Sequence, residues 1–316
     1  MLDVTQLLPG PFATQRLADM GAEVIKVEPP QGDSARRLGR LAKGTGIVFL
    51  ANNDGKQLLN VDLKTEAGLR QVMEIAATAD VVLEGFRPGT ADRLGIGYDQ
   101  LQKINPSVVY CSLTGYGQPP SRLASLAGHD LNYAARSGLL SQLKDKGGQP
   151  IVPNVQFADV ISGLIAVERI VSALVHKERT GQGAYLDVSM TAALQELLNI
   201  HAMTVNEFGV EDGIPEITGQ FVCYHLYSTK DGKTVSLAAL EDKFWKNFCQ
   251  AVDRPDWMDH QFAPAEEQHP IYEQIRALFL QRTMKEWTVL GETEDCCLQP
   301  VLSIREAFFG EEYSLR

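Results

Sequence analysis

The sequence predicts an α/β protein, with a Rossmann-like, doubly wound parallel sheet in a large domain and a smaller α+β domain behind it. Three observations predict this. Strand-like apolar runs alternate with helical periods from the first residue to about 190, and near residue 215 the texture changes to strands alternating around a tight turn. The third is length: 316 residues exceed the roughly 250 to 300 that one core usually holds.

The opening "LDVTQLLPGPFATQRLADMGAEVIKVEPP" reads as strand, turn, helix and strand, with the helix beginning after Pro11 and closing at Gly21. This is a βαβ unit, yet its first turn carries "PGP" where a dinucleotide-binding unit carries G-x-G-x-x-G. That argues against a nicotinamide or flavin enzyme. The alternation continues with a strand over 57–63, a helix over 65–79, a strand over 80–86 and another over 107–117. In a parallel sheet, ligands bind beyond the carboxyl ends of the strands, where "EGFRPG" (84–89) and "TGYGQ" (114–118) lie.

The stretch "LAGHDLNYAARSG" (126–138) has no clear helical or strand period. A helix follows over 160–178, apolar on nearly every face and so expected to be buried, with Asp159 at its N-cap or first turn and Gly181 and Gly183 as stops. A strand over 184–190 and one helix over 191–208 complete the large domain and lead away from it. Beyond residue 215, "FVCYHLYSTKDGKTVSLAAL" reads as two strands around "KDG", and 241–252 as a helix. The domain boundaries expected are 1–190, a connection over 191–214, and 215–302.

Forty acidic against 29 basic residues give a net charge of −11, which argues against nucleic-acid and membrane-surface partners. The basic run "ARRLGRLAK" (35–43) is a local exception. No apolar run is long enough to span a bilayer and no export signal opens the chain, so a cytoplasmic location is expected; the closing "SLR" is not the peroxisomal "SKL". The five cysteines lack metal-ligand spacing and read as reduced thiols, and no metal is expected. Taken alone, His129 reads as a structural histidine and Asp159 as a helix cap.

The surrounding segments change that weighing. "LLPGPFATQRLADMGAEVIKVEPP", "EGFRPGTADRLGIGYDQLQKINPSVVYCSLTGYGQ", "AGHDLNY", "FADVISG", "ERTGQGAYLDVSM", "YSTKDGKTVSLAALEDKF" and "CCLQPVLS" resemble, in this order, the family III CoA-transferases of CaiB/BaiF type, and most of all their alpha-methylacyl-CoA racemase branch. The resemblance covers the chain to about residue 302. It implies enzymes of lipid metabolism that act on acyl-CoA thioesters, with no cofactor beyond the coenzyme A carried by the substrate. The likeness further implies an interlocked homodimer in which each large domain meets the partner's small domain. It also implies a chain shortened at both ends, with 303–316 as the start of a return to the large domain.

By the same resemblance, His129 works against Asp159, thirty residues on (159 − 129 = 30). The racemases carry this histidine, whereas the transferases keep only the aspartate, as a nucleophile. The implied reaction is isomerisation of a 2-methylacyl-CoA by two-base proton transfer through an enolate, with an imidazole on one face and a carboxylate on the other. A transferase forming an aspartyl-CoA anhydride at Asp159 is the alternative, and a catalytically silent homologue that binds CoA esters is a third. Glu241 matches a glutamate that supports the histidine, and the backbone N–H of Asp159 is the expected enolate donor. Arg87, Arg36, Arg37, Arg40 and Lys56 match CoA-binding positions. Asp54, in "NDGK" (53–56), stands where the family usually has arginine.

Overall fold

A computed structural model describes residues 1–145, 147–211 and 213–310. The chain divides into two compact units between Asn199 and Ile200. The first unit runs β1 (Leu2–Asp3), α1 (Pro9–Asp19), β2 (Ile25–Glu28), a small hairpin of β3 (Leu41–Ala42) and β4 (Thr45–Gly46), α2 (Ile47–Asn52), β5 (Gln57–Asn60) and α3 (Glu66–Ala76). It continues with β6 (Val81–Glu84), α4 (Thr90–Leu94), α5 (Tyr98–Ile104), β7 (Val109–Thr114), α6 (Asp130–Ser137), α7 (Phe157–Thr180), β8 (Ala184–Ser189) and α8 (Met190–Glu196).

Six strands pair in parallel in the order β5-β2-β1-β6-β7-β8. The chain therefore winds outward from β1 to β5, then returns past β1 to lay down β6, β7 and β8. The reversal opens a crevice between the ends of β1 and β6, where such sheets bind their ligands.

Period-two alternation in the strands feeds two cores. Leu83, Cys111 and Leu113 point to one face, against Ala13 and Leu17 of α1 and Ala166 and Ile170 of α7. Val82 and Tyr110 point to the other, against Val72 and Ala76 of α3 and Leu101 of α5. On the first face α1 and α7 pack closely, because Gly163 lets the helices meet: a Cβ there would stand 2.9 Å from the Pro9 carbonyl oxygen.

Three expectations need correction. Helix α1 begins at Pro9 rather than after Pro11, since proline is tolerated in a first turn whose N–H groups have no partner inside the helix. The long apolar helix α7 buries one face, Ala158, Ser162, Gly163, Ala166, Ile170 and Ala173, while Leu164, Val171 and Val175 are 40–48% exposed. The single helix over 191–208 is two, because the Leu197 and Leu198 amides bond three residues back, to Leu194 and Gln195, and tighten the end of α8.

Helix α9 (Asn199–Phe208) spans the division, and β9 (Tyr224–Ser228), β10 (Thr234–Ala238), α10 (Asp242–Ala251), α11 (Pro270–Phe279), α12 (Met284–Thr293), β11 (Leu298–Pro300) and α13 (Ile304–Phe309) follow. The expected "KDG" turn joins β9 to β10, with Thr229 N–H donating to the Lys233 carbonyl at 2.9 Å. Strand β11 pairs on the far side of β10, so the second sheet is antiparallel in the order β11-β10-β9. Its core is built on Trp245, Trp257 and Trp287, all fully buried. The Trp245 and Trp287 indoles donate to the Trp257 and Phe279 carbonyls at 3.0 and 2.9 Å, as buried polar groups must.

The segment from 303, expected to start back toward the large domain, belongs to the second unit as far as it is described. There Glu306 pairs with Lys233 at 2.8 Å, while 311–316 lie outside the described residues. Among the described residues no helix is long and apolar enough to cross a membrane.

Candidate active site

A cavity of about 420 Å³ occupies the crevice between β1 and β6. Its walls are the loop after β1 (Thr5 to Gly10), the loop after β6 (Gly85 to Pro88), the end of β7 with Tyr116, and the starts of α6 and α7 with His129 and Asp159.

The aperiodic stretch of sequence proves to be a built helix start. His129 is the N-cap of α6, and its N–H donates to Asn132 Oδ1 at 3.0 Å. The Tyr133 hydroxyl donates to the Gly128 carbonyl at 2.6 Å, and its ring fills the space against Gly115 and Gly128. A Cβ at Gly128 would come within 2.6 Å of that ring, so the glycine is what lets the chain pass Tyr133 into His129. The imidazole is on an exposed residue that faces the cavity.

Asp159 sits in the first turn of α7 and is partly buried. Burial, and then the neighbouring Asp130 carboxylate, push its carboxyl up to about 7, so it can hold or release a proton near neutrality. Its backbone N–H donates to Asp130 Oδ1 at 3.1 Å. The donor expected for the enolate is thus already taken, because a first-turn amide without an intrahelical partner is satisfied by the nearest carboxylate.

Of the five residues expected to bind CoA, Arg87 lines this cavity, and the other four lie outside its walls. Arg87 is exposed, on a loop pinned by the Phe86 N–H donating to Glu84 Oε2 at 2.7 Å. Glu84 was not anticipated. It is 3% exposed, its other oxygen accepts from Ser112 Oγ, and burial pushes its carboxyl up to about 7. Its place in "EGFRPG" identified the loop but not the carboxylate beneath it.

Arg36 is committed elsewhere: its guanidinium grips Glu28 through two hydrogen bonds of 2.6 and 2.7 Å and lies 3.7 Å over the Phe49 ring. Arg37 and Arg40 are exposed beside it. Lys56 is a structural cation, with its ammonium donating to Thr14 Oγ1 (2.7 Å), the Pro11 carbonyl (2.9 Å), Asn53 Oδ1 (3.0 Å) and Asp3 Oδ2 (3.3 Å). No part of that side chain reaches solvent. Glu241 is exposed at the N-cap of α10, in the second unit.

A second buried pair supports the cavity floor. Leu7 takes a left-handed backbone, φ 68°, unusual for a leucine. Its N–H is held by Asp33 Oδ1 at 3.0 Å, and Lys26 bridges Asp33 Oδ2 (3.1 Å) and the Thr5 carbonyl (2.9 Å). These fully buried charges lock the loop after β1.

The family model for CoA-transferase family III matches residues 1–316. A probable fatty acyl-CoA transferase of Mycobacterium tuberculosis is 35% identical over 92% of this chain and 78% of its own length. The mouse succinyl-CoA:glutarate CoA-transferase is 32% identical over 98% and 72%, and the human alpha-methylacyl-CoA racemase 31% over 97% and 77%. The crystal structure of a CaiB/BaiF family protein from Brucella suis superposes with a TM-score of 0.83 at 28% identity, covering 99% of this chain and 85% of that one. The chain belongs to CoA-transferase family III, a family of enzymes that act on CoA esters.

Proposed function

We propose that the protein is an isomerase that inverts the α-carbon of 2-methylacyl-CoA thioesters by two-base proton transfer. The observation that carries this reading is the pairing, in one cavity, of the His129 imidazole with an Asp159 carboxyl whose affinity for protons lies near neutrality. One group takes the α-proton and the other returns a proton to the opposite face of the planar enolate. The two hold one proton between them before and after. First-turn amides of α6, beside the N-cap His129, carry partial positive charge toward the developing enolate oxygen.

In this reading Arg87 holds the CoA portion at the cavity, and Arg37 and Arg40 meet its phosphates. Arg36 positions that basic segment through Glu28. The resemblance gives Glu241 a supporting role toward the histidine, which the pH profile of Glu241→Gln tests. The apolar residues that α7 and α9 leave exposed, among them Val175, Met203 and Phe208, support an interlocked homodimer, which sedimentation velocity tests. The reading calls for no cofactor beyond the substrate's own CoA.

A second reading is favoured by the transferase names among the relatives and by the same Asp159 carboxylate in the cavity. There Asp159 attacks the thioester carbonyl, the C–S bond breaks and CoA leaves as a thiolate, giving an aspartyl anhydride. Deuterium uptake at the α-carbon in heavy water tests the choice. Exchange from both (R)- and (S)-2-methylacyl-CoA, impaired in a face-dependent way by His129→Ala and Asp159→Ala, supports the isomerase. Absence of exchange with hydroxamate formed on adding hydroxylamine supports the transferase, and CoA-ester binding with neither leaves a silent homologue.

A further inference from the structure

We infer that Asp130 is the positioning residue of this site, its side chain tying the start of α7 to the start of α6. The inference rests on the reading in which His129 and Asp159 are the working pair. Asp130 directly follows His129 as the first residue of α6, and its Oδ1 accepts the Asp159 N–H at 3.1 Å. One side chain thus joins the backbone that carries the imidazole to the backbone that carries the carboxyl. Without it, α6 and α7 keep the apolar core they share, to which Tyr133, Ala134, Phe157 and Ala158 belong, but that packing is non-directional and ties neither helix start to the other.

The bond also decides what the site can use. It removes the Asp159 N–H from the enolate, and it sets a negative charge beside the Asp159 carboxyl. The other titratable groups around Asp159 are His129 and Tyr133 from α6, Arg87 from the loop after β6 and Tyr116 after β7. The faces of α1 and α8 toward the cavity contribute Pro9 and Met190, which do not titrate. Asp130 is therefore the anion bonded to the backbone of the working carboxyl and the one whose charge pushes that carboxyl up.

The test compares Asp130→Asn and Asp130→Ala in the full chain, reading kcat and KM for α-proton exchange across pH. Asparagine keeps an acceptor oxygen, so its bond to the Asp159 N–H persists and kcat stays within about threefold, whereas loss of the anion moves the Asp159 limb of the pH profile to lower pH. Alanine loses the tie, and kcat falls roughly ten- to hundredfold with KM within about twofold, as expected when reacting groups are misplaced. Equal losses in both variants, or an unchanged pH limb in Asp130→Asn, would overturn the inference, as would an alanine variant of full activity. Failure of the underlying reading looks different, because the unsubstituted protein would then show no exchange, or His129→Ala and Asp159→Ala would leave exchange intact.

Discussion

The Lys56 ammonium lies 3.3 Å from the Asp3 carboxylate, and both side chains are closed to solvent. Burial brings the amine down to about 8, against the pull of Asp3. Removing Lys56 takes from the buried Asp3 carboxylate one of its two neighbouring cations, Lys26 being the other, and one of its hydrogen-bond donors. Lys56→Met should therefore cost about 3–5 kcal/mol of stability. The double variant with Asp3→Asn should lose less than Lys56→Met alone, since the carboxylate that Lys56 offsets is then gone as well. Urea denaturation of the four proteins checks this, and an additive double variant would show that the pair is not coupled.

Arg87 should behave in the opposite way. It is exposed on the cavity wall, so Arg87→Ala should leave stability within about 0.5 kcal/mol. A charged contact to the CoA portion lost without replacement should raise KM for an acyl-CoA roughly tenfold or more. Isothermal titration with CoA and a thermal melt of the same variant separate the effects. A variant that binds CoA as tightly as the wild type removes Arg87 from the site.

Tyr133 holds Gly128, and Gly128 places His129. Gly128→Ala should force the Tyr133 ring aside and lower exchange activity by at least tenfold. Tyr133→Phe keeps the ring but strands the Gly128 carbonyl, for a stability loss of about 1 kcal/mol and a smaller loss of rate. Rates ranked wild type, Tyr133→Phe, Gly128→Ala would support the wedge. Equal rates in all three would mean that the imidazole is placed by other contacts.

How much of this was legible in the sequence follows from what each residue answers to. The parallel strands were legible because Val81, Val82 and Leu83, and Val109, Tyr110, Cys111 and Leu113, put apolar residues on both faces, a local pattern. Helix α6 was not, because it is eight residues long with only Tyr133, Ala134 and Ser137 buried, too short a face to stand out, and its start is specified by two single hydrogen bonds, His129 N–H to Asn132 Oδ1 and the Tyr133 hydroxyl to the Gly128 carbonyl. Helices α11 and α12 went unread for a related reason: their buried aromatics answer to partners elsewhere in the chain, Phe279 to Tyr227, Phe248 and Trp287. Arg87, His129 and Asp159 stood out only through resemblance, yet the fold gathers them at one crevice. Lys56 and Arg36 carried the same resemblance but are bonded inside the chain, since a cation's availability depends on partners such as Asp3 and Glu28. Asp130 and Glu84 drew no attention because their bonds, to the Asp159 N–H and to Ser112 Oγ, join segments far apart in sequence.

Glu84 carries the last prediction. Its carboxyl, ordinarily at 4.5, is pushed up to about 7 by burial, so the folded chain holds this proton through a range in which the unfolded chain has released it. Stability from this group is complete below about 4.5 and is lost as pH rises through 7, by a total on the order of 3 kcal/mol. Asp159, raised from 3.8 to about 7, adds a change of the same sign, reduced by its partial exposure to solvent. Groups held below their usual range, such as Glu28 beneath Arg36, act in the opposite sense at lower pH, so wild-type melts alone do not isolate the effect. The difference between wild type and Glu84→Gln does, because the amide does not titrate. The variant should gain on the wild type steadily from pH 5 to pH 8, because only the buried acid loses stability as it ionises, while the Phe86 and Ser112 donors soften that loss without cancelling it. Melting curves at half-unit intervals that stay parallel across this range would show that Glu84 does not titrate there.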